Sequence, residues 1–105
     1  MSYSLNAVTA PDTPDTASTI QDVPITNIML DVANQAIYWQ LQIRTNQSSS
    51  SGVWESTSTY MLPGSRIISS DRNDEITGIR FWAATPAANL PTGTNQATVT
   101  VRTDP

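Results

Sequence analysis

Residues 36–44 (AIYWQLQIR) alternate without a break. Ile37, Trp39, Leu41 and Ile43 fall on one side, and Tyr38, Gln40, Gln42 and Arg44 on the other. Successive side chains of a strand point to opposite faces, so this stretch reads as a strand with an apolar face in a core and an aromatic-and-polar face outside it. A strand needs neighbours that bury the same face, and the rest of the chain supplies them.

Residues 27–32 set Ile28, Leu30 and Val32 against Met29 and Asp31. Residues 76–84 set Ile79, Phe81 and Ala83 against Arg80 and Trp82. Residues 96–102 alternate Ala97, Val99 and Val101 with Thr98, Thr100 and Arg102. Residues 53–62 form a weaker strand whose more apolar side is Trp54, Tyr60 and Leu62, suited to a sheet edge, and residues 66–69 form a short one. Val23-Pro24-Ile25 marks an edge or a strand start, since proline cannot donate to an interior ladder.

Turn signals separate these runs. Ala33-Asn34-Gln35 is expected to close a hairpin into residues 36–44, with Asn34 in the left-handed region. Residues 45–52 form a serine-rich loop. Pro63-Gly64-Ser65 suits a tight turn, residues 70–75 a charged turn, and residues 85–94 a long connection. About seven short strands in one domain of 105 residues predict an all-β fold: an antiparallel two-sheet β-sandwich of immunoglobulin-like or jelly-roll type. The sandwich is expected over residues 21–105. Residues 1–20, with Pro11, Asp12, Pro14 and Asp15 among threonines, are expected to form an extended N-terminal arm, with Tyr3 and Leu5 as its candidate contacts to a partner; a flexible tail is the competing expectation.

Composition narrows the chemistry. The chain has no cysteine, histidine or lysine, which removes disulfides, thiolate and imidazole metal sites, histidine general bases and Schiff-base chemistry. Its cations are five arginines against nine acidic residues, a balance that does not suit a nucleic-acid binder. Asp71, Asn73 and Glu75 have the spacing of calcium-loop ligands, but Ile76 and Trp82 occupy the glycine and bidentate-glutamate positions, so a solvated turn is the expectation there. Glu55, Asp74 and Glu75 are the acids for a carboxylate-pair hydrolase, yet adjacent Asp74 and Glu75 diverge on a strand. The expectation is a non-enzyme without cofactor or metal. Asn46-Gln47-Ser48 matches a glycosylation sequon, read as chance because residues 1–8 lack the features of a secretion signal. No apolar run approaches a membrane span, and synthesis in the cytoplasm is expected.

The outward residues Tyr38, Arg44, Arg80 and Trp82 belong to the types enriched at contact hot spots, and they are the candidate partner-binding set. Covering of these rings by the chain's own loops is the competing expectation.

Residues 61–66 (MLPGSR), 75–84 (EITGIRFWAA) and 97–101 (ATVTV) resemble the C-terminal part of small all-β virion structural proteins of tailed bacteriophages. The resemblance spans roughly the last 45 residues. It implies a capsid decoration subunit, or a tail or head-fibre component, located in the virion and bound to itself and to other virion proteins. It transfers no catalytic residue. The alternative is a carbohydrate-binding adhesion module that stacks a glycan on Trp54, Tyr60 or Trp82.

Overall fold

The computed structural model describes residues 3–14, 20–25, 27–45, 52–70 and 74–104, with the side chains of 3–7, 20–25 and 104 outside the description. The described residues form nine strands: β1 (Tyr3–Thr9), β2 (Ile20–Ile25), β3 (Asn27–Ala33), β4 (Ile37–Thr45), β5 (Val53–Trp54), β6 (Thr59–Met61), β7 (Gly64–Ser69), β8 (Asp74–Ala83) and β9 (Thr98–Asp104). All pair antiparallel. One sheet has the order β1-β9-β3-β7, and the other β2-β8-β4-β5, with β6 beside β4 on the same side as β5. The antiparallel two-sheet β-sandwich read from the alternation is the architecture. The strand count exceeds seven because residues 53–62 break into β5 and β6 and because Tyr3–Thr9 is itself a strand.

The pairing follows one rule. The first strand pairs with the last, β2 with β8, β3 with β7, and β4 with the broken strand β5/β6. The chain is therefore a long antiparallel ribbon folded back between β4 and β5. It is rolled so that β9 lies beside β3 and β8 beside β4. This is the winding of a jelly roll. An immunoglobulin-like sandwich would keep the last two strands in one sheet, whereas β8 and β9 lie in opposite sheets.

Asn34 adopts the left-handed conformation expected of it, with φ of 76°. The hairpin expected around it does not form: β3 and β4 lie in different sheets. Both strands carry a strong apolar face, and an arch between the sheets lets each face the same core. The Asn34 side chain fastens this arch to the last loop, donating from Nδ2 to the Gln96 carbonyl at 3.1 Å. Leu62 and Pro63 likewise carry the chain from β6 in one sheet to β7 in the other, where a tight turn was expected.

The core lies between the sheets. Ile28, Leu30, Val32, Ile68, Val99 and Val101 of the first sheet meet Ile37, Trp39, Leu41, Met61, Ile76, Ile79, Phe81 and Ala83 of the second. Within the stretch expected as an arm, Tyr3–Thr9 is extended and hydrogen-bonded to β9, and residues 15–19 lie outside the described residues. The chain then crosses the end of the sandwich. The Ala10 amide donates to the Ala97 carbonyl at 2.9 Å, and the Ala83 amide donates to the Pro11 carbonyl at 2.8 Å. Asp12 Oδ1 accepts from the Ala87 amide at 3.0 Å. These bonds tie both sheets together at that end.

Candidate interaction face

The outer face of the second sheet is assembled from the polar sides of β4 and β8, which are direct neighbours. Register places Tyr38 opposite Trp82, Gln40 opposite Arg80, and Arg44 opposite Glu75. On the other flank of β4, Tyr60 lies opposite Tyr38, and Trp54 lies opposite Gln42. Four of the six candidate partner residues, Tyr38, Arg44, Arg80 and Trp82, thus share one face. The other two, Tyr3 and Leu5, lie on β1 in the opposite sheet, and their side chains are outside the description.

A bulge makes this face continuous. Ile76 and Ile79 are both buried although their spacing would put them on opposite sides of a regular strand. Thr77 is the extra residue: Gln42 pairs with Gly78 and Ile43 with Ile76, so the register shifts by one. The shift turns Ile76 inward and Glu75 outward. Glu75 Oε1 then accepts from Arg44 Nη2 at 2.6 Å.

At one end of the face, Tyr60, Tyr38 and Trp82 form an aromatic row. Tyr38 meets Tyr60 edge-on with centroids 5.4 Å apart and planes at 62°, and meets Trp82 at 6.0 Å with planes at 30°. Below it, Arg80 is bracketed. Its Nε donates to Gln40 Oε1 at 2.8 Å, and its guanidinium carbon sits 4.2 Å from the Trp54 ring centroid. Cation–π contact and hydrogen bond together hold the guanidinium in place. Arg44 is neutralised by Glu75, whereas no carboxylate pairs with Arg80 among the described residues. The rings and arginines are half-buried against one another, with Tyr60 the most exposed at 53%.

The weak strand over residues 53–62 departs most from expectation. Trp54 and Tyr60 do share a side, but it is the outer one. Met61 turns into the core opposite Ile37, and Leu62 is left 66% exposed. The cause is the break at Glu55. The Glu55 amide donates to the Leu41 carbonyl at 2.9 Å, and its carboxylate Oε1 accepts from the Leu41 amide at 3.0 Å. One residue thereby completes both ladder bonds of Leu41, and residues 56–58 bow away before β6 resumes.

The groups gathered on this face are aromatic rings, amides and two arginines. Glu55 and Glu75 are engaged in the contacts just described. Asp71 and Asn73 of the calcium-like spacing lie outside the described residues, and no cluster of three metal-ligating side chains occurs among the described ones. No helix among the described residues is long and apolar enough to cross a membrane. Trp54 as the stacking partner of Arg80 and Glu75 as the partner of Arg44 escaped sequence reasoning. The odd spacing of Ile76 and Ile79 was the signal that could have revealed the second. No family model, curated protein or solved structure matches this chain.

Proposed function

We propose that this chain is a non-enzymatic virion structural protein of a tailed bacteriophage, a capsid decoration or tail/fibre subunit that assembles through the outer face of its second sheet. The observation that carries the reading is the bracketed Arg80 beside the Tyr60–Tyr38–Trp82 row. Trp, Tyr and Arg dominate the energetics of protein contacts, and a guanidinium already held by Gln40 and Trp54 loses little freedom on docking. Jelly rolls recur in viral capsids and in lectins, so the fold agrees with assembly by analogy and leaves the glycan alternative to be tested. Neither the Tyr38–Tyr60 nor the Tyr38–Trp82 pair is coplanar, and Arg80 covers one face of Trp54, which favours a protein partner over a stacked sugar.

The test is peptide mass spectrometry of density-purified phage particles from the lysate in which this chain is expressed from its native genome. A fixed copy number per particle is expected, and absence from intact particles overturns the reading. A glycan array with Trp82→Ala as control decides the alternative, because saturable sugar binding lost in that variant would establish the adhesion module instead.

A further inference from the structure

A sheet edge exposes unpaired backbone donors and acceptors, and folded proteins interrupt such edges. Three of the four edges here are interrupted. β1 shifts register between Leu5 and Val8, and β2 shifts between Gln21 and Ile25 and contains Pro24. β5 and β6 are two- and three-residue pieces. The fourth edge, β7 (GSRIIS), pairs with β3 in unbroken register from Ser69 to Gly64 and has no proline. At its centre, Ile67 is 65% exposed on the outer face, beside Met29 at 37%.

We infer that β7 is a self-association edge, which pairs antiparallel with β7 of a second copy about a two-fold axis through Ile67. The occupant follows from the register. Residues facing each other across a sheet edge must share a face, so the axis can pass through Arg66, Ile67 or Ile68 but not between them. An axis at Arg66 sets two guanidinium-bearing residues opposite each other, which is unfavourable. An axis at Ile68 sets Ile67 against Ser69. The axis at Ile67 matches the two Ile67 residues, sets each Ser65 against a Ser69, and sets each Arg66 against an Ile68. On the outer face, the Met29–Ile67 pairs of the two copies then join into one apolar stripe with serines on either side.

Arg66 is the one charge on this strand. Inward-facing charges can guard an edge, but this guanidinium is drawn back over its own Trp39, 5.4 Å from the ring centroid. It has a partner within its own subunit, and in the Ile67 register it faces Ile68 and not a second guanidinium. The contact is isologous and closes at two copies, so it yields a dimer and no filament. A single six-residue edge belongs with small, transient interfaces, so covalent trapping is the appropriate measurement.

The absence of cysteine makes that measurement clean. Ile67→Cys, under mild oxidation, is expected to cross-link to a dimer well above Thr92→Cys, an exposed control on the loop before β9. Ser65→Cys mixed with Ser69→Cys should cross-link, while neither does so alone. Adding Ile67→Lys to the Ser65→Cys and Ser69→Cys pair should abolish the mixed dimer while the far-ultraviolet circular dichroism stays unchanged. Cross-linking of Ile67→Cys no greater than the Thr92→Cys control would overturn the inference. It stands apart from the virion reading, because β7 and the Arg80–Trp82 face lie on different sheets. Trp82→Ala should leave the β7 cross-link intact.

Discussion

The Leu41 amide donates to a side chain where a neighbouring strand would normally accept: Glu55 Oε1, at 3.0 Å. A carboxylate thus sits in the gap between β5 and β6 and satisfies the β4 amide there. Glu55→Ala should leave that amide without its partner and destabilise the fold by about 1–3 kcal/mol. Glu55→Gln retains an acceptor oxygen and should recover most of the loss. Urea unfolding of the two variants against the parent measures the difference.

Gly52 and Gly93 separate two costs that usually come together. Both have positive φ, 106° and 85°. A Cβ at Gly52 would run into the Thr77 hydroxyl and crowd Gln42 and Ile43, whereas one at Gly93 would meet open space. Gly93→Ala should cost about 1 kcal/mol from backbone strain alone. Gly52→Ala should cost clearly more, because the bulge residue Thr77 is buried and has nowhere to move. Thermal melts of the pair would test the ranking, and equal losses would contradict it.

The Arg44–Glu75 contact exists only because Thr77 bulges. Each side chain is about a quarter exposed, at 23% and 25%. A double-mutant cycle with alanine at both positions should give a coupling of about 1 kcal/mol that weakens with added salt. Glu75→Ala alone should cost more than the double substitution, since Arg44 Nε is buried without a partner among the described residues.

Arg80→Ala uncovers Trp54. A red shift of the tryptophan emission is expected, with a loss of stability of about 0.5–1 kcal/mol. Arg80→Lys should restore the charge but not the hydrogen bond to Gln40 together with the stacking, because an ammonium lacks the planar fork. Fluorescence of both variants in a Trp82→Phe background would isolate the Trp54 signal from one of the other two indoles.

Much of the sandwich could be read from alternation because burial acts on each strand separately. Residues 37–43 and 79–83 announce their inner faces, and the same parity announces Tyr38, Arg44, Arg80 and Trp82 as outward. Pairing is a different matter. Nothing local tells β3 whether its chain reverses into a hairpin at Asn34 or arches to the facing sheet, since both need the same left-handed residue. The break at Glu55 was illegible for a related reason: a carboxylate accepting a ladder hydrogen bond leaves the residue pattern of a polar strand. Thr77 lay between these cases, because two buried isoleucines at odd spacing require a bulge.

The ribbon pairing also has a kinetic meaning. Tyr3 pairs with Thr103, and Ile20 with Ile79, so loops spanning most of the chain must close before the outer ladders form. Folds dominated by such non-local pairs fold slowly, in roughly milliseconds to seconds. On the ribosome, β1 and β3 wait for β9, the strand that joins them, until the last residues of the sandwich have emerged. During that interval the first sheet has an open seam where Val99 and Val101 will later sit. A nascent chain of this design is most exposed to mispairing just before β9 emerges, and a chaperone would act to greatest effect at that moment.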